Sequence, residues 1–253
     1  MVKRLLIGLL LCSLCLGQYT KPPIGSLPDW SESINRGLVA WWIANEGAGS
    51  HLNDISGNIG QDMTLVADAS WDGGKFGTCL KFDGTGDYAV VSKPVVSSKP
   101  LTFAAWVFPT DASSQNTVIS IGETAAGTRD TIYLSFSSSA VIGLLQFVND
   151  VFSSAQMVTP YVEDVWQHVV ATVDVAGNVV IYLDGIPTSG LSIDAVHPTA
   201  ADTTAIGAFI DNAGVFINNW TGNIDDVFVY NRVLNQQEVN QLYSMMFKGV
   251  DND

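Results

Sequence analysis

The chain carries 25 Asp and Glu against 11 Lys and Arg, so most of its carboxylates cannot find a cationic side chain. Surplus acid of that kind can hold a hard divalent cation, which takes six to eight oxygens from carboxylates, amides and carbonyls. It serves equally well as solvated loop charge that keeps a protein in solution. The densest pair is Asp225-Asp226. Adjacent residues of a regular strand point to opposite faces, so both can serve one ion only where the strand is bulged. Glycoside cleavage needs two carboxyl groups across a cleft, about 5–5.5 Å apart for retention and wider for inversion. Glu is scarce: Glu32, Glu46, Glu123, Glu163 and Glu238, the last of them placed to cap a helix. His51, His168 and His197 have no neighbouring nucleophile motif. Neither Gly-x-Ser-x-Gly, nor His-Glu-x-x-His, nor a phosphate-binding glycine loop is present. These residues favour binding over catalysis.

Lys3 and Arg4 precede an apolar run of about a dozen residues, short of the roughly 20 that span a bilayer. Residues 1–17 therefore read as a signal peptide cleaved before Gln18. A lipoprotein signal is disfavoured by Leu11 and Leu14, which stand before Cys12 and Cys15 where a small residue is wanted. Cleavage leaves Cys79 as the sole thiol, excluding an internal disulfide, and shifts the formal charge from −14 to −16 by removing Lys3 and Arg4. So acidic a chain repels nucleic acid and anionic lipid. No second hydrophobic segment predicts a membrane span after leader removal, and the expected location is secreted, extracellular or cell-surface. Residues 18–35, with Pro22, Pro23 and Pro28, read as a spacer. One domain follows over 36–247, with a tail at 248–253.

Within that domain, short runs rich in Val, Ile, Phe, Tyr and Thr alternate with Gly, Asp, Asn and Ser. Strands are expected at 38–43, 79–82, 88–92, 102–108, 117–121, 131–136, 143–148, 168–173, 179–183, 205–209 and 224–230. The glycine turns at 176–178 and 83–87 predict that the strands on either side pair as hairpins. Helical periodicity is convincing only at 235–246. There Asn235 and Glu238 form a capping box, and Val239, Leu242, Tyr243 and Met246 share a face that would pack on a sheet edge. No helix separates successive strands, so the fold class is all-β: a two-sheet antiparallel sandwich with a short C-terminal helix.

Several motifs occur in a fixed order: Gly37-Leu-Val-Ala-Trp-Trp, Asp54-Ile-Ser-Gly-Asn58, residues 74–84, Trp166-Gln-His-Val-Val-Ala-Thr-Val-Asp, Val180-Ile-Tyr-Leu-Asp-Gly, and Gly222-Asn-Ile-Asp-Asp with its capped helix. Together they resemble the laminin-G-like, concanavalin A-like lectin/glucanase superfamily over roughly residues 37–243. The resemblance implies a jelly roll and a structural Ca2+ held by Asp225, with Asp54, Asn58 or nearby carbonyls as further ligands; Asp54 and Asn58 could instead simply close a turn. The family's glycosidases carry Glu-x-Asp-x-x-Glu on one strand, absent here, and no lyase signature of Arg, Gln, His and Tyr is recognised.

The expected function is a non-catalytic binding module for glycan. The alternatives are a surface or virion protein that uses the jelly roll for protein contacts, and a divergent polysaccharide-cleaving enzyme. Sugars stack on aromatic faces and bond to planar polar groups. Trp41, Trp42, Trp106 and Trp166 match core positions, which leaves Trp71 and the loops at 122–130 and 211–220 as surface candidates, with Arg129, Asn212 and Trp220 as ligand-binding residues. Asn219-Trp220-Thr221 is a glycosylation sequon by pattern.

Overall fold

The computed structural model describes residues 21–111, 113–138 and 141–244. The expected leader, the 248–253 tail and Met246 lie outside the described residues. The strands are β1 Leu38–Trp42, β2 His51–Leu52, β3 Met63–Val66, β4 Ser70–Gly73, β5 Thr78–Asp83, β6 Tyr88–Val91, β7 Leu101–Pro109, β8 Asn116–Gly122 and β9 Thr131–Phe136. They continue as β10 Ile142–Val148, β11 Val151–Met157, β12 Gln167–Val173, β13 Asn178–Leu183, β14 Ile186–Ser192, β15 Thr203–Ile206, β16 Phe209–Ile210, β17 Phe216–Ile217 and β18 Thr221–Tyr230, and helix α1 spans Gln236–Ser244.

Two eight-stranded antiparallel sheets face each other. The first runs β14-β13-β12-β7-β18-β5-β4, with β1 also on β18; the second runs β11-β10-β9-β8-β15-β6-β3-β2. Their inner faces meet in one core that includes Trp42, Phe82, Phe103, Phe136 and Trp220. In β12 all seven residues are buried. A strand covered on one side alternates, so continuous burial means that both faces are covered. The second cover is α1 with the turn at 33–35. Val239, Leu242, Leu234 and Ile34 pack on Trp41, Trp106, Val170, Tyr182 and Phe228. The helix thus lies on the outer face of the first sheet rather than against an edge, because that face is itself apolar.

The capping box forms as expected. Glu238 N–H donates to Asn235 Oδ1 at 3.0 Å, and Asn235 N–H donates to Glu238 Oε2 at 2.9 Å. Asn235→Ala is expected to cost about 1 kcal/mol, measured as a lower urea midpoint at unchanged m.

The hairpin at 176–178 joins β12 to β13 as predicted. The turn at 83–87 does not join neighbours: β5 pairs with β4 and β18 in the first sheet, whereas β6 pairs with β3 and β15 in the second. Gly84 at φ +87° and Gly86 at φ +77° let the backbone turn a corner between layers. Asp83 N–H then donates to Asp87 Oδ2 at 2.6 Å and fixes that corner.

Candidate functional site

The outer face of the second sheet carries a groove whose shape follows from strand alternation. In β9, Ile132, Leu134 and Phe136 enter the core while Tyr133 and Ser135 face out. In β10, Ile142 and Leu144 enter while Gly143, Leu145 and Phe147 face out. Register aligns the outward residues in cross-strand rows: Thr117, Ser135, Gly143, Gln156; then Ser120, Tyr133, Leu145, Ser154; then Thr131, Phe147, Phe152. The β16–β17 hairpin roofs part of this face. Phe209 stacks on Tyr133 at 4.4 Å between ring centroids, and Ile217 joins Leu145 beneath it.

Beside that roof lies a groove of about 240 Å³, lined among others by Gln115, Ser135, Ser137, Gly143, Phe152 and Gln156. Its floor is open because position 143 has no side chain: a Cβ there would sit 2.8 Å from Leu145 Cδ1. Gln115 Nε2 donates to Ser135 Oγ at 3.4 Å, and Phe152 is 50% exposed. Burial pushes the nearby Tyr133 phenol up to about 12, so it stays neutral. No carboxylate lines the groove. The arrangement offers amides, hydroxyls and a ring face but no acid or base pair.

Of the residues picked from sequence, two flank this face. The Arg129 guanidinium lies 4.0 Å from the Phe147 ring centroid. Asn212, in the roof hairpin, accepts Gly127 N–H through its carbonyl at 3.0 Å and so links the two candidate loops. Trp71 is elsewhere, on β4 at an edge of the first sheet, with its indole N–H donating to Gly49 O at 2.8 Å. Trp220 corrects its surface expectation: it is fully buried, edge-on to Phe136 at 5.3 Å, because this end of the core needs a large ring. Sequence reasoning does not single out Gln115, Ser135 and Gly143, which only strand register brings together, nor Phe152 and Gln156, which lie on the unexpected strand β11. Its signal was Asn149-Asp150 between two strands, both at positive φ (+48° and +64°) as a two-residue turn demands.

Asp225 and Asp226 sit where β18 changes partners, between its pairing with β5 and its pairing with β1. The strand is bulged there, with Asp226 at φ +45° and a register shift against β7. Both side chains are fully buried. The spacer crosses this gap. The Lys21 ammonium donates to Asp225 Oδ1, to Thr78 O and, at 3.3 Å, to Ala44 O. Phe76 N–H donates to Asp225 Oδ2 at 3.2 Å. Burial raises Asp225 to about 6 against the opposing pull of Lys21. Burial and then the Asp225 charge push Asp226 well above the carboxylate range, while Trp41 Nε1 donates to it at 3.3 Å. The three oxygens around Lys21 are of the type calcium takes, and the ammonium bonds to all three.

Asp54 and Asn58 close a separate turn. Asp54 accepts from Trp41 N at 2.7 Å and Ser56 Oγ at 2.6 Å, and Asn58 Nδ2 donates to Val39 O at 2.9 Å. Burial raises Asp54, with these hydrogen bonds opposing. His168 is fully buried between Trp106 and Tyr243, at 5.1 and 6.0 Å, and burial pushes it down to about 3. Its ring nitrogens have no hydrogen-bond partner among the described residues, so it packs as a neutral ring. Cys79 is fully buried and its thiol is pushed up to about 12 by burial, which makes it a core residue without nucleophilic character.

The chain belongs to the concanavalin A-like lectin/glucanases superfamily, whose family description matches residues 83–240. Domain 4 of AbnA, a GH43 extracellular arabinanase from Geobacillus stearothermophilus solved with arabinotriose, superposes with a TM-score of 0.64 at 19% identity, covering 81% of this chain and 98% of that one. The botulinum neurotoxin serotype D binding domain gives 0.65 at 18% identity, covering 85% and 53%. The binding domain of botulinum neurotoxin DC in complex with SialylT gives 0.63 at 14%, again covering 85% and 53%, so this chain spans about half of either toxin domain. No curated protein matches the chain. Among the described residues, no helix is long and apolar enough to cross a membrane.

Proposed function

We propose that the chain is a secreted, non-catalytic carbohydrate-binding module, and that the groove beside the β16–β17 roof is its glycan site. The carrying observation is the chemistry of that groove: Gln115, Gln156 and Ser135 around an exposed Phe152 ring, above a floor left open by Gly143. Sugar hydroxyls bond to the amides and hydroxyls while an apolar C–H face lies on the ring. The absence of paired carboxyl groups in the groove supports retention of the glycan rather than cleavage. A similar domain solved with arabinotriose supports the ligand class. In this reading a calcium ion at Asp225 replaces the Lys21 ammonium rather than joining it.

Calorimetric titration with neutral and sialylated oligosaccharides tests the proposal. Phe152→Ala and Gln156→Ala each weaken binding about tenfold, the loss of one stacking or hydrogen-bonding contact, with the melting temperature held. Gly143→Val closes the floor and abolishes binding. Absence of heat across the whole panel removes the reading.

A further inference from the structure

We propose that Asp68, Asp83 and Asp87 form a calcium site at the corner where the chain passes from the first sheet to the second. They come from the β3–β4 turn, the end of β5 and the start of β6, and one carboxylate oxygen of each lies within 4.8 Å of the other two. Asp68 and Asp83 are exposed, but Asp87 is fully buried. Asp87 Oδ2 is committed to Asp83 N–H, and Oδ1 has no hydrogen-bond partner among the described residues. A buried carboxylate oxygen without a donor is costly, and a cation shared with the two neighbouring carboxylates would offset that cost.

Among the described residues, no lysine or arginine pairs with these three carboxylates. The ion pairs of the described residues join Lys21 to Asp225, Lys81 to Asp72 and Arg232 to Glu238. Carboxylates alone select a hard cation. Their origin in three separate loops suits the larger, less regular coordination shell of calcium better than the strict octahedron of magnesium. The site lies at the opposite end of β5 from the Lys21 contacts, since Thr78 opens that strand and Asp83 closes it. An ion here ties both sheets and the β3–β4 turn together.

The test is calorimetry with calcium chloride alone on the chelator-treated full chain, paired with thermal melts. Wild type takes up one calcium ion with an affinity of about 10⁻⁴–10⁻³ M, the range of extracellular modules, and melts higher with the ion bound. Asp68→Asn/Asp83→Asn weakens uptake at least tenfold and loses the calcium-dependent rise, while its calcium-free melt matches wild type. Asp68→Asn alone, on an exposed turn, gives the same direction if the double variant folds poorly. No heat from wild type at millimolar calcium overturns the proposal. So does full-strength binding in the double variant, or binding lost only in Asp225→Asn.

Discussion

Lys21→Met is expected to lower the melting temperature by about 10 °C at pH 7. Lys21 and Asp225 are almost completely buried, with side chains 2% and 0% exposed. Removing one partner of such a pair leaves the other charge without compensation, a cost of about 3–5 kcal/mol, and each kcal/mol moves the midpoint of a domain this size by about 2–4 °C. The variant also shows which charge is at fault. A carboxyl whose folded pKa is raised contributes stability that is full below its unfolded pKa and is lost as pH rises through the folded one. Asp225 stands at about 6 even with Lys21 beside it, so Lys21→Met regains stability from pH 7 to pH 5 relative to wild type. Lys21→Met/Asp225→Asn recovers most of the loss at pH 7. If calcium enters when the ammonium leaves, millimolar calcium raises the melt of Lys21→Met by more than that of Asp225→Asn. A Lys21→Met melt within about 2 °C of wild type would show that the spacer does not anchor here.

The second large effect runs the other way with pH. Burial holds His168 neutral, with a folded pKa of about 3. A depressed folded pKa contributes stability that is present above the unfolded value near 6.5 and drains away as pH falls toward 3. The slope is one proton, about 1.4 kcal/mol per pH unit, so that by pH 4 roughly 3 kcal/mol is gone. His168→Phe keeps a ring between Trp106 and Tyr243 and removes the proton. Urea unfolding at pH 7, 6, 5 and 4 is expected to show the variant gaining on wild type at every step down. Taking the difference between the two proteins cancels the opposite contribution of Asp225 and Asp226, whose raised values favour low pH. Parallel curves would mean that solvent reaches His168 in the folded state.

Much of the framework was legible because central strands and capped helices are locally encoded. Residues 131–136 form β9 with the predicted bounds, and the Asn235–Glu238 exchange starts α1 as read. What failed was marginal or nonlocal. β4, β11 and β14 are end strands of their sheets, with largely polar or interrupted sequences such as Ile-Pro-Thr-Ser-Gly-Leu-Ser, and edges tolerate Pro187 and Gly190 because one side of the ladder is unpaired. The 83–87 turn has the glycines of a hairpin, and only the partners of β5 and β6 reveal that it changes layer. The groove draws outward residues from strands brought together by register, so it has no contiguous sequence signal. Trp220 shows the same limit: a tryptophan flanked by Asn and Thr looks superficial until the core it fills is assembled.

The position of β18 also orders events during biosynthesis. It leaves the ribosome after the seventeen other described strands, yet it lies between β7 and β5 and carries β1 on its length. Until translation reaches residue 230, three earlier ribbons lack the rail they dock on, so nascent chains wait with sticky flanks uncovered. Maturation of that layer is therefore a late, all-at-once closure, and premature termination before residue 221 should produce material for proteolysis rather than a smaller working domain.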